Sequence, residues 1–246
     1  MKRHHLLAGL LPLVLIAGCS RSEEEEEVDI SLVPTLFAEG FDKVAKPAGP
    51  DNSEPAQTGT SQASTTQPAT AEDPRAGIPF ERSSGLTGRV ETAMAQGLGK
   101  DFSLRFALAD PGDFVRSGKA RAVWQRELAA RNYPADNLAG PTALMFGVAW
   151  ELANGRKLTQ ADNAAILRQV TAKLRGDPLE RQNDEQRQIQ ADLRLITAGL
   201  WLEEAYVRAT YPDQMRELSD AVHRDMQKMS SNDMRATTIT PQGFSE

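Results

Sequence analysis

The chain has 246 residues, with 28 Lys and Arg against 34 Asp and Glu, one cysteine and three histidines. A single cysteine excludes an intramolecular disulfide. A net charge of −6 lacks the basic footprint that nucleic-acid binding requires, so no nucleic-acid partner is expected.

The chain opens on Lys2 and Arg3, followed by an apolar run of 12 residues from position 6 to position 17. As a helix that run would rise about 18 Å, against the roughly 30 Å of a bilayer's hydrocarbon. It has the length of a signal-peptide core, and residues 1–18 are read as one. Ile16-Ala17-Gly18-Cys19 resembles the lipobox of bacterial lipoproteins. The resemblance implies attachment of diacylglycerol to the Cys19 sulfur, cleavage before that residue and an acylated membrane anchor. One acyl chain binds only marginally, whereas the several that such proteins carry hold durably. Ser20, where aspartate would imply inner-membrane retention, implies the outer membrane facing the periplasm of a Gram-negative host.

Residues 19–85 are read as an acidic, largely disordered tether. They hold 5 Lys and Arg against 13 Asp and Glu, whereas residues 86–246 hold 21 of each, so the acid excess lies wholly outside the domain. Glu23 through Glu27 form a solvated, self-repelling spacer, without the Gly and Asp-x-Asp spacing of a calcium loop. Residues 46–77 contain no Ile, Leu, Val, Met, Phe, Tyr or Trp. Such a composition cannot bury enough apolar surface to offset the entropy of ordering. As a flexible coil these 32 residues span roughly 30 Å r.m.s.. Before them Phe37, Phe41 and Val44 recur at i, i+4 and i+7 beside Leu36. That amphipathic spacing suits docking on the protein's own domain or on a partner.

Residues 86–246 are read as one all-α domain of about five helices, bundle-like or orthogonal, with a short extended segment near 102–108. In that segment Phe102, Leu104, Phe106 and Leu108 alternate with Ser103, Arg105 and Ala107, and Asp110-Pro111-Gly112 ends it. Gly97 and Gly99 are read as terminating a helix. Ala120, Trp124 and Leu128 predict a helix over about 113–131. Residues 138–153, apolar on nearly every side, predict a central buried helix stopped by Asn154-Gly155. Thr159 with Asp162 forms a capping box for the next, whose inward residues are Ile166, Val170 and Leu174. Ile189, Leu193, Ile196, Leu200 and Val207 stripe a long helix over about 184–209. Met215, Leu218, Val222, Met226 and Met229 line the last, the methionines as core filler rather than metal ligands.

Trp150, Asn154 and Gly155, the later Ala191-Asp192-Leu193 and the closing Thr238-Ile-Thr240-Pro-Gln-Gly243-Phe244 resemble an uncharacterised family of secreted bacterial helical proteins. That family carries a Trp-x-x-x-Asn-Gly motif, an Ala-Glu pair and a terminal Leu-Thr-x-x-Gly-Phe. Ile239 here replaces its leucine and Asp192 its glutamate. The resemblance implies a secreted helical domain and no established activity. It marks Trp150, Asn154, Gly155, Asp192, Thr240, Gly243 and Phe244 as a partner-binding or structural motif. Phe244 is expected to dock into the core, since Thr240-Pro241-Gln242-Gly243 has turn chemistry.

His4 and His5 leave with the signal, so a Ser–His–acid triad would have to use His223, which is read as solvent-facing. No Gly-x-Ser-x-Gly elbow accompanies it. Gly97-Leu-Gly-Lys100 lacks the Gly and Ser/Thr of a phosphate loop. No metal site, cofactor or catalytic residue is therefore expected. The function read from the chain is non-catalytic partner binding in the cell envelope: a membrane contact through lipidated Cys19, and an unidentified envelope protein. The alternative is a carboxylate-dependent envelope hydrolase using two of Glu151, Asp192, Glu203 and Glu204. Its bland counterpart has Glu203 and Glu204 on a polar face and Glu151 paired with an arginine.

Overall fold

The computed structural model describes residues 77–175 and 177–245, an all-α arrangement with one small hairpin. Residues 1–76 lie outside it. They include the signal peptide, Cys19, the acidic run, the amphipathic segment and the linker up to residue 76.

Helix formation follows local chemistry. α1 (Ser84–Asp101) starts where the Ser83 hydroxyl accepts from the Leu86 amide. α2 (Pro111–Arg116) is capped by Asp110, and α3 (Lys119–Arg131) ends with Asn132 in the left-handed region. α4 (Ala139–Asn154) stops at Gly155, whose φ of 63° suits glycine. α5 (Gln160–Leu174) has the full Thr159–Asp162 capping box. A 3₁₀ turn (Pro178–Arg181) leads to α6 (Asp184–Arg208), capped by Asn183 and Gln186, and α7 (Pro212–Ser230) follows. β1 (Thr238–Thr240) and β2 (Gly243–Ser245) pair antiparallel, with Ile239 opposite Phe244.

α4 and α6 form the central pair. α1 and α3 pack on α6, α5 packs on α4, α7 bridges both, and the hairpin lies on α5. Burial explains this layout. Every α4 residue from Ala139 to Ala153 except Leu152 is buried, so the helix needs neighbours all round. Gly140 lets its N-terminal turn meet the preceding loop, because a Cβ there would fall 1.8 Å from the Pro134 carbonyl oxygen.

Several expectations are corrected. Seven helices, not five, form among the described residues. α1 is additional, and its Leu86, Val90, Met94 and Leu98 are all buried. It runs through Gly97 and Gly99 rather than ending there, because packing of that stripe outweighs the poor helix propensity of glycine. The helix expected over 113–131 is two, broken at Gly118, whose φ of 75° is left-handed. Val207 is exposed, since the stripe of α6 rotates away from the core at its last turn. The packed unit also reaches further towards the N terminus than residue 86. Ile78 and Phe80 are buried, and Pro79 bridges to Asn137 just before α4.

Residues 102–108 follow an extended path with Leu104 buried and Phe102 edge-on to Phe106 at 5.6 Å. No strand pairs with them. Three of their amides are satisfied instead by carboxylates, Asp225 for Ser103 at 2.9 Å and Glu204 for Ala107 and Leu108 at 2.8–3.0 Å.

Candidate functional site

The motif residues near the C terminus converge on one clasp. Trp150 donates its indole N–H to the Thr237 carbonyl at 2.9 Å, and the Asn154 amide donates to the Trp150 and Met234 carbonyls, both at 2.9 Å. Gly155 ends α4 beneath them, and Arg156 lies over the Trp150 ring at 4.7 Å. Gln169 on α5 then grips the hairpin: its amide oxygen accepts from the Phe244 amide and its NH₂ donates to the Phe244 carbonyl, each at 2.8 Å. Gly243, at φ 108°, permits that approach, because a Cβ would lie 2.5 Å from the Gln169 oxygen. Thr240 closes the turn by donating to the Gly243 carbonyl at 3.0 Å. Phe244 itself is buried against Phe146, with ring centroids 6.2 Å apart.

Asp192 belongs elsewhere. Only 1% exposed, it pairs with Arg82 and accepts from the Thr87 hydroxyl at 2.7 Å and the Gln188 amide at 3.3 Å. The Arg82 guanidinium also donates to the Ala135 carbonyl and sits 5.6 Å from the Trp124 ring. The node thus ties the segment before α1, α1 itself and α6 together.

Glu204 and Glu151 are likewise engaged. Glu204, expected on a polar face, is completely buried, because residues 102–108 cover it. Its fourth contact is Arg208 at 2.8 Å, which donates in turn to the Arg105 carbonyl at 2.6 Å. Glu151 accepts from Arg131 at 3.2 Å, Lys157 at 2.9 Å and the Leu158 amide at 3.0 Å. Burial would raise its carboxyl, but the adjacent Arg131 and these donors hold it below the usual carboxylate range. Glu203 is half-buried. Asp225 behaves oppositely. Desolvation pushes its carboxyl up, and one of its oxygens has no hydrogen-bond partner.

His223 is mostly covered rather than solvent-facing, 14% exposed, with its Nδ1 3.8 Å from Asp233. That distance exceeds a hydrogen bond, and the same Asp233 oxygen already accepts from the Arg235 and Ala236 amides. Ser219, one turn earlier, donates to the Ala153 carbonyl and accepts from Arg235. No activated hydroxyl results. The Gly97–Gly99 stretch is helical and so cannot wrap a phosphate as a loop does. Among the described residues no His, Cys, Asp and Glu group fits a metal ion, and no helix is long and apolar enough to cross a membrane.

One open groove of about 440 Å³ lies where α4, the α4–α5 loop, α6 and the start of α7 meet. Leu152, Leu202, Ala205 and Met215 line it, all only half-buried. Arg156 and Lys157 form one rim and Tyr206 the other, with Glu151 set into the wall. Tyr206 is 78% exposed, and Tyr211, five residues further along, is 56% exposed. The groove was not legible as a motif, since its residues come from three separate helices. The exposed Tyr206 and Tyr211 flanking the end of a buried stripe were its one sequence signal. No protein family, no curated protein and no solved structure matches this chain.

Proposed function

We propose that this chain is a lipid-anchored periplasmic module, held at the outer membrane through Cys19, whose helical domain binds an envelope protein without catalysing a reaction. The observation that carries this reading is the groove, an apolar floor with a cationic rim and an exposed tyrosine. Aromatic residues and arginine over a desolvated apolar centre are the composition that protein interfaces favour. The clasp residues Trp150, Asn154 and Phe244 are engaged internally, whereas the groove stays open.

A hydrolase would need one acid kept protonated near neutral pH. Glu151, the acid in the groove wall, is displaced in the opposite direction and held by three donors. Asp192 and Glu204 are spent on an ion pair and on backbone amides.

In a deletion strain, Tyr206→Glu is expected to abolish complementation while abundance and Tm stay unchanged, and Glu151→Gln is expected to complement. Loss of complementation by a folded Glu151→Gln protein, with turnover of an envelope substrate lost in parallel, would establish the hydrolase instead. Cys19→Ala is expected to stop fatty-acid labelling and leave unprocessed precursor, and persistent labelling would remove the anchor.

A further inference from the structure

We infer that the groove's resident ligand is the chain's own residues 32–44, docked in cis and displaced when the envelope partner binds; this rests on the groove being the binding surface. Three features of the molecule point to that occupant. The first is chemistry. The groove floor offers half-buried Leu152, Leu202 and Met215, and Phe37, Phe41 and Val44 fall on one face at helical spacing. An amphipathic helix laid in an apolar groove is a recurrent recognition mode.

The second is charge. Glu151 is the one acid of the groove lining and is shared by Arg131 and Lys157, so with Arg156 the mouth keeps an excess of positive charge. Residues 23–44 carry eight acids against one cation, Lys43, and within the docked stretch Glu39 and Asp42 outnumber it. An acidic segment is attracted to that rim, and attraction between exposed charges acts within about 8 Å at physiological salt.

The third is reach. The chain enters the domain at residues 77–79, beside Asn137 and the N-terminal end of α4. The groove lies at the other end of that 16-residue helix, about 24 Å away. The 32-residue linker spans roughly 30 Å r.m.s.. A tether whose span matches the separation gives an effective concentration on the order of millimolar. A segment with only millimolar intrinsic affinity would then hold the groove about half the time, whereas a second copy would need millimolar protein to do the same. Docking also shortens the free tether between Cys19 and the domain from 58 residues to 13, about halving its r.m.s. span. The occupied groove therefore holds the domain near the membrane, and partner binding releases it outward.

The test uses the full mature chain with Cys19→Ser and a photo-crosslinking amino acid in place of Phe41. Irradiation should join that position to peptides containing Leu152, Tyr206 or Met215 of the same molecule. Mixing ¹⁵N-labelled and unlabelled protein separates links within one chain from links between copies. Arg156→Glu with Lys157→Glu should reduce the yield severalfold at low salt. Phe37→Asp with Phe41→Asp, which changes no residue of the folded domain, should speed hydrogen exchange across residues 202–215 severalfold. Links only between copies, links elsewhere on the domain, or exchange unaffected by the Phe37 and Phe41 substitutions would each overturn the inference. None of those results would touch the partner-binding reading, which falls if Tyr206→Glu still complements or if a folded Glu151→Gln protein loses both complementation and turnover.

Discussion

The last turn of α4 borders two different environments. On one side Trp150 and Asn154 face the C-terminal segment, and their side-chain N–H groups all find carbonyl acceptors. On the other, Leu152 and Gly155 open onto the groove, where apolar side chains stay half-exposed and a tyrosine stands in solvent. Neighbouring positions on one helix thus serve opposite ends. The face closed by the chain's own C terminus supplies stability. The face left open supplies a surface that something else can cover.

The sharpest way to break this comparison is Trp150→Ala. It removes a buried aromatic and leaves the Thr237 carbonyl without its donor, so a loss of about 3–5 kcal/mol is expected in chemical denaturation. Phe244→Ala should cost less, about 2–3 kcal/mol, because it removes a buried ring without orphaning a hydrogen-bond partner as Trp150→Ala does. An unchanged Tm for Phe244→Ala would make the hairpin a partner contact rather than a clasp.

Two buried acids sharpen the comparison through pH. The Glu151 carboxyl is lowered in the fold, so its stabilisation is present above the usual carboxylate range and is lost as pH falls through its folded value. Asp225 is raised, so its contribution is full below the unfolded carboxylate value and is lost as pH rises through the folded one. At neutral pH, ionised Asp225 is therefore a cost. Asp225→Asn should raise Tm by a few °C at pH 7, with the gain narrowing towards pH 4. A gain that does not vary with pH would show that charge burial is not its source.

The smallest stability effect is expected on the open face. Tyr206→Glu should change folding free energy by no more than about 0.5 kcal/mol, as surface substitutions do. Its loss of partner binding, with Tm unchanged, separates the groove from the clasp.

Much of the fold is legible locally. The Thr159–Asp162 box, the Gly155 stop and the all-round apolar character of residues 138–153 are written in residues a few positions apart, and α4 and α5 form where they indicate. α1 is legible only in its Leu86, Val90, Met94 and Leu98 stripe. Four glycines inside it argue against a helix, and packing onto α6 and α2 overrides them. The 113–131 helix reads as continuous because nothing in its apolar spacing marks the left-handed turn at Gly118.

By itself the sequence determined the helical class, the Thr159–Asp162 box, the Gly155 stop, the central helix and the placing of the acid excess before residue 86. All of these depend on composition or on neighbours within a turn. Only the tertiary structure decided which charges are buried. Glu204 and Asp192 look like any polar residues of a long helix until Ala107, Leu108 and Arg82, roughly a hundred positions away, cover them and take up their lone pairs. The groove is settled the same way. Its walls are three helix ends that meet only after packing, and no short stretch of chain records a surface that exists between its elements.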